Sequence, residues 1–152
     1  MNQELEQKVN EWLSFDKVYK FCQIFFLKIK LFFIKNSKTK AEIENLLNEK
    51  NYTQLSSRLC SRMEFGTAGL RSRMGAGYSM MNDLTIIQTG QGFLHYLKNF
   101  FGLKLNKQGV IIGYDARHNS KRFAELTANI FLRDNIPVYL FRQIVPTPFV
   151  VY

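Results

Sequence analysis

The run Val110-Ile111-Ile112-Gly113-Tyr114-Asp115, taken with the helix and second strand next to it in the chain, constrains the fold more than any other feature. Uninterrupted apolar residues ending in a carboxylate read as a strand covered on both faces. Ser120 is a good N-cap, and Phe123, Leu126, Thr127, Ile130 and Phe131 then recur at helical spacing up to a stop near Asp134-Asn135. Ile136-Pro137-Val138-Tyr139-Leu140-Phe141 supplies a second strand. Strand, helix and strand in this order form a βαβ unit with parallel strands and a right-handed crossover. The chain is therefore an α/β protein, and its ligands are expected beyond the carboxyl ends of the strands, where Asp115-Ala116-Arg117-His118-Asn119-Ser120 joins strand to helix.

Two roles stand open for that turn. Arg117 near a helix N-terminus can hold a phosphate through its guanidinium and the backbone amides. Alternatively, an Asp115 to Arg117 ion pair braces the turn and leaves nothing for a ligand. His118 could approach a bound anion, but a lone histidine is weak evidence, and His95 sits in a helical stretch where packing is its ordinary role.

Upstream, residues 1–61 read as a helical extension. Leu5, Val9, Trp12 and Leu13 share one helical face, Thr39-Lys40-Ala41-Glu42 fits a capping box ahead of Ile43, Leu46 and Leu47, and a short helix is expected from Thr53 to Cys60. Met63-Glu64-Phe65-Gly66-Thr67-Ala68-Gly69-Leu70-Arg71 breaks this periodicity and predicts a loop between short strands. Asn82 or Asp83 then caps a helix with Ile86, Gly90, Phe93, Leu97 and Phe101 on its apolar face, where Gly90 marks close packing.

Residues 18–35, VYKFCQIFFLKIKLFFIK, are foreign to this pattern: 13 are apolar, four are lysine and none is acidic. The net charge of +9 would be +5 without those four lysines, so the case for nucleic acid as a partner is weak. The apolar core of the segment is shorter than the ~20 residues that span a bilayer and is interrupted by Lys28 and Lys30. A membrane is not the expected partner. Joining Lys17 to Asn36 gives a continuous polar connection between two helices, so the segment reads as an insertion or a translated non-coding stretch. The alternative reading of the whole chain is a non-catalytic module that binds a membrane or a protein through this segment.

Cys22 and Cys60 form no C-x-x-C or Cys/His cluster, which fits a reducing, cytoplasmic setting without structural zinc or disulfides. The N-terminus does not read as a secretory signal. Gly75-Ala76-Gly77 begins a G-x-G-x-x-G, but Met80 stands at the third glycine and no buried strand precedes it, so a dinucleotide site is not expected.

Three blocks resemble the α-D-phosphohexomutases, and within them the phosphoglucomutase-2-like branch. They are Arg62-Met63-Glu64-Phe65-Gly66-Thr67-Ala68-Gly69-Leu70-Arg71 with Met81-Asn82-Asp83-Leu84-Thr85-Ile86-Ile87-Gln88, then Gly113-Tyr114-Asp115-Ala116-Arg117 with Ser120, and finally Pro137-Val138-Tyr139-Leu140-Phe141 through Pro146-Thr147-Pro148-Phe149. The resemblance implies that residues 62–152 are domain I of a four-domain enzyme, a three-layer α/β/α sandwich with a mixed sheet, preceded by the N-terminal helices. It implies phosphoryl transfer between two hydroxyls of a phosphorylated hexose or pentose, through a sugar bisphosphate and a phosphoserine, with Mg2+ as cofactor. Arg71 would be the arginine beside the phosphoserine, Thr67 and Gly69 would shape its loop, Arg117 could add to phosphate binding, and Asp115 and Ser120 would organise their turn. The family's T-A-S-H-N-P loop, which carries the phosphoserine, should follow Pro146-Thr147-Pro148, but the 152 residues contain no such loop and none of the magnesium-binding aspartates of domain II. The chain alone is expected to be inactive. The sugar and the oligomeric state are not legible.

Overall fold

A computed structural model describes residues 1–21 and 37–151. Of residues 18–35, only the backbone of 18–21 falls within this range, as the end of the first helix; the rest of that segment, and with it the insertion reading, lies outside the described residues. The chain divides into two units, Met1–Thr85 and Ile86–Tyr152.

In the first unit, α1 (Gln3–Phe21) begins where the Asn2 side chain accepts the Leu5 amide at 2.9 Å. Its expected apolar face is real: Leu5, Val9 and Trp12 are buried and Leu13 packs beside them. Helix α2 (Ser37–Asn48) contributes Ile43, and α3 (Tyr52–Leu59) contributes Leu55 and Leu59. Fully burying side chains of this size is worth roughly 1.5–3 kcal/mol each. Ala76, Tyr78 and Leu84 complete the cluster. Trp12 meets the Tyr78 ring edge-on at 5.2 Å, while Lys8 and Arg62 lie 5.7 and 5.4 Å from its centroid. Burial, with the charge of Glu11 adding to it, pushes the Tyr78 phenol above the usual tyrosine range.

The capping box expected at Thr39 takes another form. Helix α2 already runs from Ser37, and the Glu42 carboxylate accepts the Ala76 amide at 2.9 Å and pairs with Arg58. Nonlocal partners engage the glutamate that local pattern assigned to a cap.

The loop before α4 (Asp83–Phe101) is fastened by Asn82, which is buried. Its carboxamide nitrogen donates to the carbonyls of Gly75, Gly77 and Met80 at 2.8, 2.9 and 3.1 Å. Its oxygen accepts the Thr85 amide at 3.1 Å, and the Thr85 hydroxyl accepts the Asn82 amide at 3.1 Å. This is a capping box in which threonine replaces the usual glutamate. Gly77 passes so close to α3 that a Cβ there would sit 2.5 Å from the Arg58 carbonyl oxygen, and its φ of +120° disfavours any other residue.

The second unit contains the expected βαβ arrangement. Strands β3 (Val110–Ile112) and β4 (Val138–Leu140) pair in parallel, Val110 against Val138 and Ile112 against Leu140, and α6 (Ser120–Arg133) connects them. Leu97 of α4, Leu105 of α5 (Leu103–Gln108), Phe131 of α6 and Ile136 form the core, and Val110 and Val138 pack on it. The Gly90 expectation holds within this unit: a Cβ there would meet the Ile130 Cδ1 at 2.6 Å. The chain closes with α7 (Pro148–Val151).

Two expectations are corrected. Strand β3 is not covered on both faces, since Ile111 is 53% exposed and its register partner Tyr139 is 59% exposed. Of the face expected on α4, Gly90 and Leu97 are buried but Phe93 and Phe101 are exposed. Apolar periodicity names a face without saying what lies against it. The described strands form this parallel pair and a separate antiparallel pair in the first unit, an α/β arrangement of two small sheets.

Gly77→Ala is expected to destabilise the chain by about 2 kcal/mol or more, because a backbone carbonyl must move and the dihedral is strained. Gly92→Ala, in the exposed interior of α4 with nothing within 4 Å, should instead stabilise by about 0.5–1 kcal/mol. Urea unfolding of both variants checks the signs.

Candidate functional site

The loop predicted around residues 63–71 is a hairpin. Strands β1 (Phe65–Gly66) and β2 (Gly69–Leu70) pair antiparallel, with Phe65 opposite Leu70 and Gly66 opposite Gly69. Thr67 and Ala68 form the turn, and Gly69 closes it at φ +82°. A Cβ on Gly69 would touch nothing within 4 Å, so glycine is needed there for its dihedral and not for space. The hairpin stands in solvent: Phe65 is 74% exposed, and Thr67, Gly69 and Arg71 are exposed as well.

Arg71 follows the second strand directly. Its stem lies over Gly66, where a Cβ would come within 3.5 Å of the Arg71 Cδ. Among the described residues its guanidinium has no hydrogen bond or ion pair, so its planar donors are available to an anion. The structure thus brings Thr67, Gly69 and Arg71 together on one hairpin.

The Asp115 turn, in the other unit, is built differently. The Arg117 amide donates to Asp115 Oδ1 at 3.0 Å, and its Nε and Nη2 each lie 2.7 Å from Oδ2. The side-chain hydrogen bond from Arg117, then the one from its backbone, hold the Asp115 carboxyl at about 2, below its usual 3.8. The same partnership raises the pKa of Arg117. The Ser120 hydroxyl accepts the Asp115 amide at 3.1 Å. Ser120 is therefore a staple within the turn, and the N-cap position belongs to Asn119, in a left-handed conformation at φ 64°. Of the two roles left open for this turn, the geometry displays the brace. His118 is exposed, and His95 is exposed with its Nε2 3.1 Å from Asn99 Nδ2.

Two other serines that could be weighed as nucleophiles are engaged by backbone. Ser72 Oγ donates to the Ser79 carbonyl at 2.7 Å, and Ser79 Oγ to that of Ser57 at 3.0 Å. Among the described residues, no three of His, Cys, Asp or Glu gather as a metal site. Cys60 is exposed and free. No helix among them is long and apolar enough to cross a membrane.

Sequence reasoning missed the donations from Asn82 and the junction of Glu42 with Ala76. The nearest available signal was an asparagine at a helix start after two closely spaced glycines, Gly75 and Gly77.

Residues 62–152 match the family model described as phosphoglucomutase/phosphomannomutase, alpha/beta/alpha domain I. The chain belongs to this family. Glucose 1,6-bisphosphate synthase of Mus musculus is 44% identical over 155 aligned residues, covering 98% of this chain and 22% of that protein. Phosphopentomutase of Homo sapiens is 44% identical, covering 96% of this chain and 22% of its own length. A probable phosphoribomutase of Schizosaccharomyces pombe is 36% identical, covering 99% and 22%. The chain thus spans about a fifth of the length of these curated relatives. No solved structure matches it. The resemblance read from the three sequence blocks is a family membership.

The brace has a pH dependence of definite sign. Because the folded pKa of Asp115 lies below 3.8, its contribution is fully present above that value and is lost as pH falls through about 2. A carboxyl carbon NMR titration should place the Asp115 midpoint near 2, and Arg117→Ala should move it back towards 3.8. A wild-type midpoint already at 3.8 would mean that the ion pair does not form in solution.

Proposed function

We propose that these 152 residues furnish the Arg71 side of the phosphoryl-transfer site of a cytoplasmic phosphoglucomutase/phosphopentomutase-type enzyme. The observation that carries this reading is the contrast between two exposed arginines: Arg117 is engaged by Asp115, whereas Arg71 has no acidic partner among the described residues. A guanidinium left without a carboxylate, on a hairpin whose turn is formed by Thr67 and closed by Gly69, is suited to a phosphate. It would stabilise charge on a transferring phosphoryl group by being in place before the reaction begins.

On this reading residues 1–61 are a helical extension and 62–152 belong to domain I. The exposed Ile111–Tyr139 face would receive the third layer of an α/β/α sandwich. The phosphorylated serine, the Mg2+ ligands and the groups that choose between phosphorylated hexose and pentose would come from sequence other than these residues. Thr67 and Gly69 set the hairpin that presents Arg71. Asp115 and Ser120 fix their own turn, and Arg117 serves structure before ligand. A sugar bisphosphate activator belongs to the same proposal.

The 152-residue chain, purified and supplied with glucose 1-phosphate or ribose 1-phosphate, Mg2+ and glucose 1,6-bisphosphate, should form no terminal phosphate above the no-protein rate. Steady conversion by this polypeptide would show that it holds its own nucleophile and would overturn the division of labour described here.

A further inference from the structure

We propose that the corner joining α4 to α5 is an interfacial docking site for an anionic lipid surface. The proposal uses neither Arg71 nor residues 18–35, and it does not rest on the mutase reading. Phe100 is 69% exposed and Leu103 is 83% exposed, and Tyr96 and Phe101 beside them are also open to water. The rings form one group: Tyr96 stacks on Phe100 at 6.0 Å, and Phe100 meets Phe101 edge-on at 4.9 Å. The chain turns at Gly102, where a Cβ would find nothing within 4 Å. The exposed apolar side chains are thus carried on the turn between two helices. Beneath them Leu105, the one buried side chain of α5, packs with Leu97, Phe131 and Ile136, so the corner is anchored to the core.

Charge argues for the occupant. From Leu84 to Tyr114 the sequence contains no Asp or Glu, while it holds Lys98, Lys104 and Lys107. Lys98 pairs with Asp134. Lys104 and Lys107 are exposed and, among the described residues, form no ion pair. Projecting aromatic and aliphatic side chains flanked by unpaired lysines match the boundary of a bilayer, where rings settle at headgroup depth and ammonium groups meet lipid phosphates and carboxylates. An exposed apolar cluster with adjoining cations suits a deformable anionic surface. The expectation drawn from residues 18–35, that a membrane is no partner, does not extend to this corner.

The test is sedimentation of the full chain with phosphatidylcholine vesicles, with and without phosphatidylserine, at low and high salt. Binding is expected to the phosphatidylserine vesicles at low salt and to be lost at high salt. Lys104→Gln with Lys107→Gln should weaken it roughly thirtyfold, and Phe100→Ser with Leu103→Ser should abolish it. These side chains are exposed, so the variants should keep the wild-type thermal unfolding midpoint. Lys28→Gln with Lys30→Gln, run alongside, should leave binding unchanged. Three results would overturn the proposal: no vesicle binding by the wild type, loss of binding only in the Lys28 and Lys30 variant, or self-association without vesicle binding that the Phe100 and Leu103 substitutions remove.

Discussion

The carboxamide of Asn82 is buried, and the three carbonyls it reaches, those of Gly75, Gly77 and Met80, belong to a loop with little regular backbone pairing of its own. Buried carbonyls without donors cost about 1–3 kcal/mol each, and Asn82 supplies a donor to all three, joined by the Met80 amide at the Gly77 carbonyl and by the Thr85 hydroxyl at that of Met80. The same side chain caps α4 through the Thr85 amide, which fixes where that helix begins. Once the loop is fixed, Ala76 and Tyr78 are delivered to the core of α1, α2 and α3, and Glu42 can receive the Ala76 amide. The Tyr78 carbonyl in turn accepts the Met63 amide at 3.3 Å, which ties the approach to the hairpin back to this loop. The reach of Asn82 therefore extends from a cap to the segment that presents Arg71.

Two arginines of one chain illustrate how identical chemistry acquires different roles. A carboxylate two residues away reaches the Arg117 guanidinium, and the result is a closed local network whose donors face their own backbone turn. Arg71 has its stem on a glycine and no carboxylate among the described residues. An exposed ion pair adds little to stability, and its main effect here is on shape. Without a partner among the described residues, the Arg71 guanidinium keeps its hydrogen-bonding capacity.

Much of this arrangement was legible in the sequence where the determinants are local. The face of Leu5, Val9 and Trp12 follows from helical spacing, and the parallel pairing of Val110 with Val138 follows from strand, helix and strand in succession. Arg71 stood out through a block of residues whose family likeness the comparisons bear out. What stayed hidden depends on partners distant in the chain. Glu42 is drawn from its expected cap by an amide 34 positions away and by Arg58, and no spacing rule reports that. Ser120 became a staple because its hydroxyl meets the Asp115 amide, which depends on how tightly the turn closes. Ile111 and Phe93 are apolar yet exposed, since side-chain type states what a residue prefers and not whether these residues provide its cover.

That Arg71 faces a transferring phosphoryl group is tested most directly in a chimera of the mouse glucose 1,6-bisphosphate synthase in which residues 62–149 of this chain replace the matching stretch. With Arg71 present the chimera should retain sugar-phosphate turnover, and Arg71→Ala should lower kcat by about 100-fold or more without lowering the thermal unfolding midpoint. Undiminished kcat in the alanine variant would contradict the role assigned to this arginine.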